Sequence, residues 1–327
     1  ANMAEYHYDD GAVYGFPTKY ENSRWILINE DMFKEAGLDI PYDGWTYSEF
    51  LADAEKLTHG EGQDKVYGVC WARKQSGKSI LYALDGVLGA NQIYKNEEGT
   101  EVNFDNDVYR AGLNLVKETL DKGYAIPIED EFSEDISVAN TFLQGKCAIM
   151  LGVAQMRLCM DQENYPHDFM TALVPAPVPD DEKYNTEFYR KQIGTTGAGD
   201  LLSISANTKY PEASFEFAMW YLKGGMSPLV QGGRIPLWNG VNKDEVLSVL
   251  KEKAQGSIDM DSMENYLSLD TTQGVAAIKG HASSEISSAW FEEFDAMCYG
   301  KQSVDQTVQN MEKRGNELIQ TELSSQK

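Results

Sequence analysis

The sequence is poor in basic residues and has no long apolar run. It contains 28 Lys and Arg against 52 Asp and Glu, giving a formal net charge of −24 and a pI of about 4.5. Nucleic acids and anionic membranes are bound through clustered Lys and Arg, so this shortage argues against both partners. No stretch reaches the length of a membrane span. The acidic residues are spread evenly, as on a solvated surface.

Cysteine and histidine are also scarce, with four of each. No two cysteines have C-x-x-C spacing and no histidine lies near a cysteine, so the sequence predicts neither a metal site nor a redox motif. Cys70 and Cys147 lie in apolar, strand-like runs. We therefore expect buried thiols and no disulfide framework, and we expect no metal and no cofactor.

Strand and helix patterns alternate along the 327 residues, without heptads, repeats or low-complexity tracts. Apolar runs predict strands at 66–71, 147–151, 169–174 and 201–205. Helical spacing is found at 109–120 and at 304–311, the second after a Ser303/Gln306 capping pair. The alternation predicts an α/β fold with a mostly parallel sheet, and 42% hydrophobic residues suffice for two domains.

The most informative stretch is residues 11–37. Short extended pieces are followed by an apolar strand at 25–28 and by a helix that stops at Gly37. Further segments follow in order: a helix at 41–57 with Thr46 and Glu49 spaced as a capping box, Phe-Leu-Gln-Gly-Lys-Cys-Ala-Ile-Met at 142–150, a glycine-rich crossover at 195–206, an apolar helix at 210–220 and a closing helix at 303–318.

In this order the segments resemble the extracellular solute-binding proteins of the carbohydrate importer type, the family that includes maltose-binding protein. The resemblance implies a two-lobe, type II periplasmic-binding-protein-like α/β fold. It assigns 19–195 and 280–327 to the second lobe. It assigns 1–18 and 200–279 to the first, with crossovers near 15–25, 195–205 and 275–285.

The family places a strand-and-helix segment before its first crossover, where this sequence has about ten residues. We therefore expect an incomplete first lobe in a truncated chain that has lost its signal peptide. Apolar faces of helices such as 211–222 should then be exposed or paired with another chain, and sugar binding should be weak or absent.

Three patterns of other functional classes fit less well. Residues 72–79 match a relaxed phosphate loop, but the first position is Ala and no strand ending in a magnesium-binding Asp follows. Residues 194–199 have glycines in the wrong order for dinucleotide binding, and a hinge explains them better. The adjacent Glu292 and Glu293 should point apart on a helix, unlike the paired carboxylates of a glycoside hydrolase.

Sugars present flat apolar faces edged by hydroxyls, which suit aromatic platforms beside charged or amide groups. By position in the resemblance, the ligand-binding candidates are Tyr20, Glu21, Trp71, Arg73, Arg234, Trp238 and Trp290. Four also have plainer explanations, Trp71 and Trp290 as core residues and Glu21 and Arg73 as surface charges. Trp45 and Trp220 occupy helix-packing positions and are expected in the core. Gln155-Met156 stands where the family often has Trp, which leaves the particular sugar open.

The resemblance thus implies a non-catalytic carbohydrate-binding subunit of an ABC importer. Such a protein captures its ligand between two lobes, closes about a hinge and docks on the permease subunits. It works outside the cytoplasm, as a cell-surface lipoprotein or in the periplasm. A same-fold protein that binds a non-sugar ligand or serves a sensor is left open, and an enzyme is the weaker alternative.

Overall fold

The computed structural model describes residues 12–20, 24–73, 93–133, 137, 140–187, 189–190, 201–225, 227–238, 240–254, 256–268 and 280–325. The strands of these residues are β1 (Phe16–Pro17), β2 (Lys19–Tyr20), β3 (Trp25–Asn29), β4 (Tyr67–Cys70), β5 (Cys147–Met150), β6 (Thr171–Pro175), β7 (Leu201–Leu202) and β8 (Ile235–Pro236). The α-helices are α1 (Glu30–Glu35), α2 (Tyr47–Leu57), α3 (Asp107–Asp121), α4 (Ile128–Ser133), α5 (Met156–Cys159), α6 (Pro211–Trp220), α7 (Ser227–Val230), α8 (Lys243–Ala254), α9 (Met260–Ser268), α10 (Ser283–Cys298) and α11 (Val304–Ser325).

The central sheet has four strands in the order β4-β5-β3-β6. β4 and β5 are parallel, whereas β3 runs antiparallel to both of its neighbours, β5 and β6. The expected mostly parallel sheet is therefore mixed. The chain reaches β3 directly from β2, at the edge where the other three strands end, so β3 has to run in the opposite direction.

Side chains on successive strand residues point to opposite faces of the sheet, and both faces are covered. Ile26 and Ile28 join a core formed with α1, α2, α3, α10 and α11. Trp25 and Leu27 join a second core, formed with α5, α8 and α9. Every residue of β3 is buried, as expected for a strand between two helical layers.

Helix starts are formed as the sequence predicts. The Thr46 hydroxyl accepts a hydrogen bond from the Glu49 amide at 3.3 Å, and Glu49 Oε2 accepts one from the Thr46 amide at 2.7 Å. Ser303 Oγ accepts a hydrogen bond from the Gln306 amide at 3.1 Å, at the start of α11. The Thr46/Glu49 bonds are reciprocal, whereas the Gln306 side chain donates to Asn310 Oδ1 and the second pair is one-sided. All of these bonds to backbone amides satisfy groups that have no partner inside the helix.

The predicted domain division is wrong for α8 and α9, which were assigned to the first lobe. Thr171 of β6 forms a parallel bridge with Ile258, and the Leu173 amide donates to Ser262 Oγ at 3.0 Å. The ring of Trp25 in β3 lies 5.4 Å from that of Tyr266. Both helices thus cover the central sheet, because its second face is apolar and needs a partner layer.

Helix α6 carries an exposed apolar surface. Phe215, Phe217 and Trp220 are 50%, 59% and 59% exposed, and Ala218 is the buried residue of the helix. The expected exposure of this helix is confirmed. The expected core position of Trp220 is wrong, while Trp45 is buried as predicted, at 2% exposure.

Candidate functional site

One edge of the central sheet collects the ends of several strands. β4, β5 and β6 end there, and β3 begins there, with Trp25 opposite Pro175 and Leu27 opposite Met150. The backbone turns left-handed directly after β4 and β5, with φ of 50° at Ala72 and 107° at Gly152. In open α/β sheets, ligands bind outside the carboxyl ends of the strands. This edge is therefore the expected position of a ligand site.

Two short ribbons lie beside this edge. In the first, Phe16 and Pro17 of β1 pair with Leu202 and Leu201 of β7. The predicted proximity of 14–29 and 195–205 is thereby confirmed for the described part of the second segment. In the second ribbon, β2 pairs with β8, and the Leu237 amide extends the pairing by donating to Thr18 O at 3.2 Å. The chain thus passes the sheet edge three times, in β1 to β2, in β7 and in β8.

The turn before β8 contacts helix α5. Gly233 has a φ of 75°, and a Cβ built on it would lie 3.1 Å from the Cβ of Arg157. A cavity of about 370 Å³ opens beside this contact. It is lined by Arg157, Leu158, Met160, Asp161, Gln162, Glu163, Gln231, Gly232 and Lys253. Small-molecule sites start at about 300 Å³, so a mono- or disaccharide is of suitable size.

The sequence profile of bacterial extracellular solute-binding proteins matches residues 2–223. The chain belongs to this family.

Solved structures of solute-binding proteins share the fold. An ABC substrate-binding protein from Listeria monocytogenes in complex with cycloalternan is 17% identical, with a TM-score of 0.67 over 97% of this chain and 74% of that chain. A sugar transporter from Rhizobium etli in an open conformation is 16% identical, with the same TM-score and coverage. A cyclic α-maltosyl-1,6-maltose-binding protein from Arthrobacter globiformis is 16% identical, with a TM-score of 0.65 over 98% of this chain and 75% of that chain. The fold is that of type II periplasmic binding proteins.

Three of the predicted site residues lie on or next to the β2–β8 ribbon of this solute-binding protein. Tyr20 pairs through its backbone with Ile235, and Arg234 is an exposed residue just before β8. Trp238 follows β8 and is 41% exposed, with Lys223 Nζ 5.7 Å from its ring centroid. Glu21 lies outside the described residues, as do 74–92, which contain most of the phosphate-loop pattern, and the 194–199 segment.

The structure contradicts the assignment of Trp71 and Trp290 as stacking platforms. Each is 2% exposed. The Trp71 indole N–H donates to Thr119 Oγ1 at 2.9 Å, and Trp290 stacks on Phe294 with ring centroids 4.8 Å apart. Both are buried members of the core between the sheet and the helices. A sugar needs an open ring face.

Arg73 is not free for a ligand either. Its Nε and Nη2 donate to the two carboxylate oxygens of Asp295, at 2.8 and 3.0 Å. Its guanidinium also lies 4.1 Å from the ring centroid of Phe291. Arg73 therefore ties the end of β4 to α10 instead of projecting into solvent.

Two arginines at the sheet edge escaped the sequence reasoning. Arg24 is 4% exposed and donates to Ala176 O at 3.3 Å, Pro177 O at 3.4 Å and Tyr189 O at 3.3 Å. It thereby joins the start of β3 to the end of β6. Arg157 lines the cavity. The sequence pattern that could have pointed to it is the glycine turn before β8, which packs against Arg157 in the folded chain.

The remaining candidate chemistries find little support in the described residues. All four cysteines are free, and Cys70 and Cys147 are buried as predicted. Cys159 is buried as well, and burial raises the pKa of its thiol to about 12. Glu292 and Glu293 do not point apart, since both accept from Arg314 at 2.6 Å. Although burial opposes it, hydrogen bonding, foremost from Arg314, lowers the pKa of Glu293. Neither carboxylate is available as half of an acid–base pair.

The described residues contain no group of three or more His, Cys, Asp or Glu side chains placed to hold a metal ion. None of their helices combines the length and the apolar composition that a membrane span requires.

Proposed function

We propose that this chain is the substrate-binding component of an ABC importer and that it captures a sugar or oligosaccharide. Family membership supports the binding role, since the family is one of extracellular solute-binding proteins. The carbohydrate class is supported by structural relatives whose bound or named ligands are cycloalternan, D-mannitol and cyclic maltosyl-maltose.

The observation that carries the proposal is the meeting of three chain passages at one sheet edge, with an exposed tryptophan and a polar cavity beside them. Trp238 offers an apolar ring next to the charge of Lys223, and Arg234 is an exposed cation on the other side of β8 in the sequence. Gln231 provides an amide at the cavity. An aromatic surface beside amides and charges suits a polyhydroxylated ligand.

We assign no catalytic residue, and the role is capture and delivery. The ligand binds at the β2–β8 ribbon, beside Tyr20, Arg234 and Trp238. Hinge closure at this ribbon precedes docking on the permease subunits. The protein acts outside the cytoplasm, either anchored to the cell surface as a lipoprotein or in the periplasm. Metal and cofactor have no part in the proposal.

Ligand-observed NMR tests the proposal, because it detects the millimolar affinities that a weak binder would show. A panel of mono-, di- and cyclic oligosaccharides is compared with amino acids as a non-sugar class. We expect at least one saccharide to bind. Trp238→Ala should weaken binding by about 1–3 kcal/mol, the range of aromatic contacts at binding hot spots.

Trp220→Ala is the matched control, because this tryptophan is 59% exposed but lies on α6 and not on the β2–β8 ribbon. It should leave the affinity unchanged. Binding of amino acids alone would replace the sugar assignment with a non-sugar ligand. Equal losses from both tryptophan variants would remove the ribbon from the site.

A further inference from the structure

The charge of the segments around β8 and α5 is opposite to that of the molecule as a whole. The chain has a formal net charge of −24, yet residues 217–243 and 136–160 contain no Asp or Glu. The first segment carries Lys223, Arg234 and Lys243, and the second carries Lys146 and Arg157. Two acid-free segments of this length are unusual in a chain with 52 acidic residues.

The fold brings these two segments together. Gly233 of the first approaches Arg157 of the second so closely that an added Cβ would be 3.1 Å from the arginine Cβ. The cavity of about 370 Å³ lies beside this contact, with Gln231 and Gly232 on one wall and Arg157 on another. Lys253, at the end of α8, adds a second cation to its lining.

The cations of the cavity are unpaired, whereas one of its acids is already engaged. Within the described part of the chain, neither Arg157 nor Lys253 forms an ion pair or a side-chain hydrogen bond. Both carboxylate oxygens of Asp161 accept hydrogen bonds from Asn164 Nδ2, at 3.0 and 2.9 Å. Glu163 is an exposed acid in the same lining. Both carboxylates keep their charge, so an incoming anion would meet two cations without an ion pair and two opposing carboxylates, Asp161 and Glu163.

We infer that this cavity binds the carboxylate of an acidic saccharide, a uronic acid, through Arg157 and Lys253. The inference rests on the proposed function and narrows its ligand class. A guanidinium can hold a carboxylate through two parallel hydrogen bonds, and the ammonium of Lys253 adds a point charge. The amide of Gln231 and the carboxylates of Asp161 and Glu163 line the same cavity and can bond the ring hydroxyls, which an inorganic anion lacks. The amide of Gln162 is held by His167, whose backbone amide donates to Gln162 Oε1 at 3.1 Å.

The test compares each uronate with its neutral parent: galacturonate with galactose, and glucuronate with glucose. Dissociation constants are measured by ligand-observed NMR at low ionic strength, with sulfate as an inorganic competitor. We expect a uronate to bind roughly tenfold more tightly than its parent, which corresponds to one charge-assisted hydrogen bond. Raising the salt concentration should reduce this ratio, because exposed charges are screened.

Three variants connect the ratio to the cavity. Arg157→Gln should bring the uronate-to-parent ratio close to one, and Lys253→Gln should reduce it. Glu163→Gln should increase it, because it removes one of the two opposing charges. Lys313→Gln, a cation on α11 whose side chain is 75% exposed, is the matched control and should leave the ratio unchanged.

The outcomes separate this inference from the proposed function. A ratio near one in the unaltered chain, with neutral sugars binding in a Trp238-dependent manner, overturns the uronate inference and leaves the sugar-binding role standing. If sulfate competes as well as a uronate, the claim that the ligand is a saccharide is overturned, because the cavity then selects charge alone. If Arg157→Gln keeps the uronate-to-parent ratio, the claim that this cavity binds the carboxylate is overturned. Failure of every sugar, neutral or acidic, removes both proposals.

Discussion

Arg73 and Asp295 form a two-pronged ion pair across 222 residues of sequence, with Nε–Oδ1 and Nη2–Oδ2 distances of 2.8 and 3.0 Å. The two side chains are only 14% and 24% exposed. The pair joins the end of β4 to the last turn of α10. An arginine that the sequence pattern places in the ligand site is thus a brace between sheet and helix.

Arg73→Ala should destabilise the fold without affecting ligand binding. Removing one partner leaves the Asp295 carboxylate half-buried and unpaired, which should lower the free energy of unfolding by roughly 1–3 kcal/mol. Denaturant titration measures the loss. The control is Arg110→Ala, whose partners Asp105 and Asp305 have 38% and 75% exposed side chains; its loss should cost less than about 1 kcal/mol. Equal losses in the two variants would mean that the Arg73 pair is as weak as a surface pair.

Trp71→Ala and Trp290→Ala should each lower the free energy of unfolding by about 3–5 kcal/mol, as for other buried aromatic truncations. Both rings are 2% exposed, whereas Trp238 is 41% exposed, so Trp238→Ala should cost less than about 1 kcal/mol. Denaturant titrations of the three variants, side by side, give the comparison. Small losses at Trp71 and Trp290 would return these residues to the list of platform candidates.

Gly233→Ala should destabilise the protein more than Gly37→Ala, because Gly233 lies in the tightly packed turn before β8 and Gly37 at the open end of α1. Both glycines have left-handed backbones, with φ of 75° and 68°, so both alanine variants carry the same backbone strain. Only at Gly233 does the new Cβ meet another residue, Arg157 at 3.1 Å; at Gly37 nothing lies within 4 Å. We expect an additional loss of about 1 kcal/mol at Gly233 by denaturant titration. Equal losses would show that Arg157 moves aside freely.

Asp53→Asn should stabilise the protein at neutral pH and have little effect at pH 4. Burial raises the pKa of Asp53 to about 6; Lys56 acts against this, while Glu49 and Asp39 add to it. Because the folded pKa exceeds the unfolded value of about 3.9, the native state holds this proton more tightly. The stabilisation by the proton is complete below about pH 4 and is lost as the pH rises through 6.

The expected gain at pH 7 is about 1 kcal/mol once solvent screening is taken into account. Denaturant titrations at pH 4, 5, 6 and 7 follow it, with the exposed Asp64→Asn as control. A gain that is the same at pH 4 and pH 7 would assign the effect to the amide and not to the proton.

The sequence by itself determined the family, the order of the elements and the local details of the helices. The capping box at Thr46 and Glu49 is formed as predicted, and β4, β5 and β6 lie within a residue or two of the predicted runs. These features depend on residues a few positions apart, so they can be predicted from local patterns. The pairing of β1 with β7 was also foreseeable, because the order of motifs fixed the crossovers.

Burial and partnership were decided only by the tertiary structure. Trp71 and Trp238 both follow strands, but Thr119 and Phe50 enclose the first, while the second stays exposed. Helices α8 and α9 cover the central sheet because the alternate residues of β3 and β6 leave its second face apolar. The partner of Arg73 and the cavity at Arg157 arise from segments far apart in the chain. The local spacing of residues does not predict such contacts, because they form only when the sheet packs against its helices.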